Sequence, residues 1–142
     1  MANRRVASPL RVTERVDYAL KSVLLLSRHE GDYLTTKAVA EHYGMSTKML
    51  ASVLWNLRSA AILESRPGWH GGFRLALPPH EIPLSAVIAA AAGVDEASLT
   101  SPTPPDLTAD PVGDFWQALD ERVQATLTAF TVADLAGDRA LP

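Results

Sequence analysis

Apolar residues recur at three- and four-residue spacing between positions 34 and 59, a pattern that predicts two short helices joined by a turn. Thr35 or Thr36 can cap the first helix, Gly44 can end it, and Ser46 can cap the second. The apolar face of the second helix is formed by Met49, Leu50, Val53, Leu54 and Leu57. The opposite face carries small, polar and basic side chains, which are Thr47, Lys48, Ala51, Ser52, Trp55 and Arg58.

Two short apolar segments at 62–66 and 72–77 follow this helix and predict a β-hairpin. The connecting residues 67–71 are rich in glycine and proline, which permit tight turns and close approach of the backbone to a ligand. A helix-turn-helix followed by a hairpin is typical of a winged helix-turn-helix, which contacts DNA. The alternative is a helical protein that merely contains a glycine turn. The residues predicted to contact DNA are Thr36, Thr47, Lys48, Ser52, Trp55, Arg58, Arg66, Gly68, Trp69 and His70.

Helices are also predicted on both sides of this unit. Thr13 can cap a first helix that ends near Gly31, and an alanine-rich helix is predicted at 84–92. Residues 94–110 are rich in Pro, Ser and Thr, a composition typical of a loop. The predicted fold class is mainly α with a small β-wing, in which residues 10–93 form a winged helix-turn-helix domain.

The last predicted element is a long helix at 111–136, with Asp110 as its N-cap and Pro111 at its first position. About 25 residues at 1.5 Å each give a length of nearly 40 Å. Its apolar stripe is wider than one small domain can cover, so we expect it to dimerise with the same helix of a second subunit. The alternative is a helix that lies wholly on its own core. The predicted dimer interface consists of Trp116, Leu119, Val123, Leu127 and Phe130.

Several segments follow the order found in a known family: RVT at 11–13, DYAL at 17–20, LR at 57–58, AIL at 61–63, residues 68–76 and IPLSAVI at 82–88. Together they resemble the Rrf2 family of bacterial winged-helix transcription regulators. The resemblance covers roughly residues 10–93 and continues in outline to the end of the chain. It implies DNA binding by a dimer that is joined through the last helix.

The chain departs from the family pattern in two places. In the family, the loop that corresponds to residues 94–110 carries three cysteines that bind an iron–sulphur cluster, whereas this chain has no cysteine. In the wing, Pro67 precedes the first glycine, and Trp69 and His70 fill the loop. We therefore expect a regulator without a cysteine-ligated cluster.

Charge is unevenly distributed along the 142 residues, although the formal net charge is only -3. Residues 1–80 hold 11 Lys and Arg against 6 Asp and Glu, whereas residues 81–142 hold 2 against 10. A basic half that also carries the helix-turn-helix pattern suits contact with phosphates, and the acidic half would point away from DNA. The alternative is an ordinary solvated surface.

Composition argues against several other classes of protein. No run approaches the ~20 apolar residues of a membrane span, so we expect a soluble, cytoplasmic protein without a membrane partner. A chain without cysteine has no disulfide, thiolate nucleophile or cysteine-ligated metal. The 4 histidines lack metal-type spacing, and no serine lies in a nucleophile elbow. We therefore predict no enzymatic activity, no cofactor and no metal site.

A regulator without a cluster must be constitutive or must sense something else. We expect a small organic effector in a pocket of mixed charge and aromatic surface, lined by Asp17, Tyr18, Lys21 and Trp116. The resemblance places Asp17 at a position that supplies an oxygen ligand in some relatives, but that role does not carry over without thiolates. The alternative is that these side chains only seal the domain against the last helix.

The sequence therefore predicts a bacterial, sequence-specific DNA-binding transcription regulator, a repressor that acts as a homodimer on a palindromic double-stranded operator. A second hypothesis, from a different class, is a winged-helix protein-interaction module, because Trp55 and Trp69 would suit a protein partner. Salt dependence separates the two, since specific DNA binding weakens steeply as salt is added.

Overall fold

The computed structural model describes residues 12–92 and 111–137, which form helices and one two-stranded sheet. The elements in chain order are α1 (Glu14–Arg28), α2 (Thr36–Tyr43), α3 (Thr47–Ser59), β1 (Leu63–Arg66), β2 (Gly72–Leu75), a short 3-10 turn (Pro79–Glu81), α4 (Leu84–Ala92), α5 (Pro111–Ala129) and α6 (Val132–Ala136). The predicted fold class, mainly α with a small β-wing, is confirmed.

Hydroxyl side chains start the first three helices. Each oxygen accepts a hydrogen bond from a backbone N–H three residues on: Thr13 from Val16 at 3.2 Å, Thr35 from Ala38 at 3.0 Å, and Ser46 from Met49 at 3.4 Å. Thr35 is therefore the cap of α2, and Thr36 is its first helical residue. α1 ends at Arg28, earlier than predicted, because His29 already leaves helical geometry with φ -121° and ψ 46°.

α1 lies at the centre of the fold, where it contacts α3, α4, α6 and β2. The largest side chains that are almost fully buried are Val16, Val23, Leu26, Val39, Leu50, Val53, Leu54, Leu57, Leu63, Ile82, Val87 and Val132. Burying an aliphatic side chain of this size contributes roughly 1.5–3 kcal/mol. The core is therefore formed by side chains from α1, the helix-turn-helix, the wing, the region of α4, and α6.

The C-terminal helix is not continuous, which corrects the prediction of one helix at 111–136. α5 ends at Ala129, and α6 begins at Val132. Thr131 starts α6 with a capping box, in which its hydroxyl accepts from the N–H of Asp134 while that carboxylate accepts from the N–H of Thr131. The chain therefore stops one helix and starts another within three residues.

The break has a tertiary cause. The N–H of Leu84 donates to the carbonyl of Phe130 at 2.8 Å, and the N–H of Val132 donates to the carbonyl of Ile82 at 2.9 Å. These bonds pair the break with the segment before α4, so its backbone groups are satisfied outside the helix. The side chain of Phe130 is only 7% exposed and lies inside the protomer.

Two predictions fall outside the residues that the structure describes, namely the loop at 94–110 and its last residue, Asp110, as N-cap. Within the described ranges, none of the helices combines the length and the apolar character that crossing a bilayer requires.

Candidate nucleic-acid interface

α3 is held by the core along one face and open to solvent along the other. Leu50, Val53, Leu54 and Leu57 are fully buried, each with 0% exposure. The opposite residues are all exposed, as their spacing predicts, and we call them the recognition face: Thr47, Lys48, Ala51, Ser52, Trp55 and Arg58. A helix with an open polar face suits insertion into the major groove of DNA.

The turn between α2 and α3 is set by a glycine and by a hydroxyl from α1. Gly44 has φ 69°, a left-handed conformation that favours glycine. The next N–H, of Met45, donates to the carbonyl of Ala40 at 2.9 Å. The N–H of Ser46 donates to the hydroxyl oxygen of Tyr18 at 3.0 Å. This bond ties the start of α3 directly to the central helix.

Arg58 lies at the end of the recognition face that adjoins the wing. Its guanidinium carbon lies 4.9 Å from the centroid of the Trp55 ring, and its Nε donates to Ser65 Oγ at 2.6 Å. Because a guanidinium has five N–H donors, further donors remain for a phosphate or a base edge. The contacts orient this charge between α3 and β1.

Arg15 lies beside the recognition face and was not among the residues predicted from the sequence to contact DNA. Its Nη1 donates to Ser52 Oγ at 3.2 Å, and its Nε donates to the carbonyl of Ala91 at 3.1 Å. One guanidinium therefore joins α1 to α3 and to the C-terminal end of α4. Local spacing carried no signal for these contacts, because the partners lie 37 and 76 positions away.

The wing consists of β1, β2 and one bridging residue. The antiparallel register places Arg66 opposite Gly72. Leu34, just before α2, exchanges two hydrogen bonds with Phe73, one at 2.9 Å through its N–H and one at 2.8 Å through its carbonyl. The helix-turn-helix and the wing are therefore joined through the backbone.

Glycines allow the wing loop to be tight. Gly68 has φ 99° and Gly72 has φ 140°, both left-handed values that disfavour other residues. A Cβ at Gly72 would overlap the carbonyl of Leu34, and a Cβ at Gly71 would overlap the carbonyl of Arg66. Replacement of Gly72 would push the wing away from Leu34, and replacement of Gly71 would distort the wing loop itself.

The wing loop presents the side chains that the sequence predicted there. Trp69 is 93% exposed, and His70 is exposed beside it. Arg66 is also exposed, and its Nη2 donates to the carbonyl of His70 at 2.7 Å. The arginine therefore lies along the loop and closes it.

Tyr33 contacts two arginines of the wing and was missed by the sequence analysis. The guanidinium carbons of Arg66 and Arg74 lie 4.2 and 4.4 Å from its ring centroid. Arg74 also forms an ion pair with Glu64, and the hydrogen bond to that carboxylate raises the pKa of the Arg74 guanidinium. Its Nη1 donates to the carbonyl of Gly31 at 3.4 Å.

α2 supplies the remaining predicted contact, Thr36, which is half-buried in its first turn. At the other end of α2, burial raises the pKa of Tyr43, and the positive charges of Arg28 and Lys21 oppose that rise. Tyr43 therefore keeps its proton at neutral pH.

The first half of α5 carries apolar side chains that the described part of the protomer leaves partly or largely exposed. None of the 19 residues of the whole α5 helix is buried. Val112 and Phe115 are each 59% exposed, and the Trp116 ring meets the Phe115 ring edge-on at 5.3 Å. Leu119 continues the same stripe and is half-exposed.

The second half of α5 is docked on its own domain. Val123 and Leu127 pack partly against the core. The buried position of Phe130 corrects its assignment to the dimer interface, because the backbone bonds at the helix break turn it into the protomer. The open candidates for a dimer contact are therefore concentrated before Val123.

Of the four residues predicted to line an effector pocket, two pair with each other and the other two have contacts elsewhere. Asp17 forms an ion pair with Lys21 at 2.8 Å. Tyr18 is buried, and its hydroxyl accepts the hydrogen bond from the N–H of Ser46 at the start of α3. Trp116 contacts its neighbour on α5, and α5 packs on α4.

Together, the two short helices, the exposed recognition face and the hairpin beside it define a winged helix-turn-helix. The Rrf2 family pattern, described as "Iron-dependent Transcriptional regulator", matches residues 12–138. The chain belongs to the Rrf2 family of transcriptional regulators, and the predictions of that family and of a protein without enzymatic activity are confirmed.

Relatives match this chain over most of their length. An HTH-type transcriptional regulator NsrR of Geobacillus kaustophilus is 30% identical over 146 aligned positions, which cover 92% of each chain. Protein rrf2 of Nitratidesulfovibrio vulgaris is 27% identical over 136 residues, covering 93% of this chain and 91% of the relative. The structure of CymR, the global cysteine regulator of B. subtilis, has a TM-score of 0.77 at 23% identity over 92% of this chain and 99% of its own, a likeness in fold.

The side chains of this protein do not fit an iron–sulphur cluster. Such clusters are held mainly by cysteine thiolates, and the chain contains none. Across residues 12–92 and 111–137, no three His, Asp or Glu side chains are grouped so that they could hold a metal ion. Asp17 is engaged by Lys21. Regulation through a cysteine-ligated cluster is therefore excluded by the sequence itself.

Proposed function

We propose that this protein is a sequence-specific DNA-binding repressor that acts in the bacterial cytoplasm as a homodimer. The observation that carries the proposal is the recognition face of α3, exposed along its whole length and flanked by the arginine-bearing wing. A helix in the major groove would bring Lys48 and Ser52 to base edges or adjacent phosphates, and the wing would bring Arg66 to the neighbouring groove. The positive excess of residues 1–80 supports contact with phosphates.

Selection of binding sites from genomic fragments tests the proposal and identifies the operator. Lys48→Ala should then weaken operator binding by about 1–3 kcal/mol, with relaxed specificity at one position if Lys48 reads a base and a uniform loss if it meets a phosphate. Lys37→Ala is the matched control, because Lys37 is an exposed lysine on α2 outside the recognition face. Wild-type binding of every fragment by both Lys48→Ala and Arg66→Ala would exclude this docking.

The dimer is proposed from the uncovered first half of α5. A second copy related by a two-fold axis would cover Phe115, Trp116 and Leu119 with the same residues of its own α5. Such symmetry predicts a palindromic operator with half-sites about one or two helical turns apart. Footprinting on the selected fragments measures that spacing.

Repression and effector control complete the proposal. A dimer bound across a promoter would block transcription, so purified protein should lower transcript yield from its operator in vitro.

Because the chain has no thiolates for a cluster, we expect a small organic molecule to control binding. It would act only through a difference in its affinity for two placements of the recognition helices. Titration of metabolites, followed by operator affinity and Trp fluorescence, tests for it, and insensitivity to all of them would indicate a constitutive repressor.

A winged-helix protein-interaction module is the second candidate, favoured by the exposure of Trp69 and by Trp55 at 57%. Aromatic side chains are enriched at the centres of protein interfaces. Binding of the wild type to its partner should then change little between low and high salt, whereas operator binding should fall steeply.

A further inference from the structure

The outer face of the wing has an aromatic side chain at its centre. Residues two apart in a strand share a face, so Glu64 and Arg66 lie on one face of β1, and Arg74, paired with Glu64, joins them. Tyr33 reaches this face from the segment before α2, immediately before the residue that bridges to β2. We call these four residues the Tyr33 patch.

The two arginines of the Tyr33 patch are held differently. Arg74 is anchored, because it forms an ion pair with Glu64 and donates to the carbonyl of Gly31. Arg66 is exposed and is held by one hydrogen bond to the loop and by the face of the Tyr33 ring. A cation is attracted to the electron-rich face of an aromatic ring. Tyr33 therefore contacts both an anchored arginine and a more exposed one.

We propose that Tyr33 is a positioning residue for DNA recognition, whose ring holds the Arg66 guanidinium against the wing loop before DNA binds. The inference rests on the proposed function, because it assumes that Arg66 contacts DNA. A free arginine side chain samples many rotamers, and ordering them on binding costs affinity. An aromatic surface that restricts the side chain beforehand lowers that cost and leaves guanidinium donors available for phosphate or base oxygen.

Tyr33→Leu removes the ring, and Tyr33→Phe is the matched control that removes only the hydroxyl, 3.5 Å from the Glu64 carboxylate. Operator affinity should fall on the order of threefold in Tyr33→Leu, as expected for one exposed cation–π contact, and should be retained in Tyr33→Phe. Wild-type affinity in Tyr33→Leu would overturn the proposal.

The same substitution in an Arg66→Ala background shows whether Tyr33 acts through Arg66. With the guanidinium absent, Tyr33→Leu should cause no further loss of affinity. An equal threefold loss in both backgrounds would overturn the proposal, because Tyr33 would then act through the fold or through a contact of its own. Thermal unfolding of each variant establishes that it is folded.

A measurement without DNA separates this inference from the proposed function. Proton NMR of the free protein should show Arg66 side-chain resonances displaced by the Tyr33 ring current in the wild type and in Tyr33→Phe, and undisplaced in Tyr33→Leu. If Tyr33→Leu does not fold, the wild-type spectrum decides. If the wild type binds its operator but its Arg66 resonances are not displaced, the positioning role of Tyr33 is overturned and the proposed DNA-binding function is not. Displaced resonances in a wild type without specific DNA binding would overturn the proposed function and this role with it.

Discussion

α3 and the first half of α5 are both amphipathic, but they differ in where their apolar faces are buried. In α3, four apolar side chains are fully buried in the protomer, so the core fixes the orientation of the polar face. In α5, no residue is buried, and before Val123 the side chains of Val112 and Phe115 are each 59% exposed while Trp116 and Leu119 are half-buried. The position of α3 is therefore fixed by contacts within one chain, whereas the described residues leave much of the first half of α5 open, where we propose that a second copy packs.

The largest effect is expected from a substitution on the buried face of α3. Leu54→Ala should lower the free energy of unfolding by about 2–5 kcal/mol, because it removes a fully buried side chain and leaves a cavity. That is a large fraction of the stability of a small domain. Urea denaturation followed by Trp fluorescence measures it.

Leu119→Ala is the same chemical change on α5 and serves as the control. Because Leu119 is half-exposed in the protomer, its loss should cost well under the value for Leu54, at protein concentrations low enough to keep the chain monomeric. Equal costs at the two positions would show that α5 is docked on the protomer as firmly as α3.

The next largest effect is expected from a charge placed on the exposed apolar stripe of α5. Phe115→Glu should reduce the mass measured by light scattering from that of two chains to that of one. The substitution removes apolar burial at two symmetry-related sites, which should weaken the free energy of association by about 2–4 kcal/mol in total. Gln117→Glu introduces the same charge at a polar, exposed position of α5 and should leave the mass unchanged. A wild type that is already monomeric, or a Phe115→Glu variant that stays dimeric, would rule out this interface.

Local pattern was sufficient to predict α3 and its two faces. Four of the five apolar residues predicted for α3 are buried, and the fifth, Met49, is partly buried against the core. Caps were predicted at Thr13, at Thr35 or Thr36, and at Ser46, and the residues that accept the capping hydrogen bonds are Thr13, Thr35 and Ser46. These features were predictable because each depends on residues within one helical turn of its neighbours.

Features that depend on distant partners were not predictable in this way. The break between α5 and α6 requires backbone bonds to the segment before α4, and the apolar periodicity continued through it. A local signal did exist, because Thr131 and Asp134 have the spacing of a capping box. For Arg15 and Tyr33 there was none, since their partners are brought to them only by the tertiary fold.

A smaller effect is expected from removing the hydrogen bond that ties the start of α3 to α1. Tyr18→Phe removes the hydroxyl that accepts from the N–H of Ser46, and it should cost about 1 kcal/mol of unfolding free energy. Tyr43→Phe is the control, because it also removes a tyrosine hydroxyl beside the turn, and it should change stability by less than about 0.5 kcal/mol. If the two variants are equally stable, the bond from α1 does not help to fix the start of α3.

The smallest effect is expected where α3 ends and the wing begins. Ala61 has φ 62°, and its N–H donates to the carbonyl of Arg58 while the next N–H donates to the carbonyl of Leu57, an arrangement that usually has glycine at this position. The left-handed conformation costs alanine roughly 1–2 kcal/mol, and glycine gives back about 0.4–1 kcal/mol through its more flexible unfolded chain. Ala61→Gly should therefore stabilise the protein by about 0.5 kcal/mol.

Ala60→Gly is the adjacent control, because Ala60 has an ordinary φ of -85° and gains nothing from glycine. It should lower stability by about 0.4–1 kcal/mol, so that the two neighbouring substitutions act in opposite directions. Thermal unfolding of the pair measures the difference between them. A loss of stability in both variants would show that alanine in the left-handed conformation at position 61 carries no strain that glycine relieves.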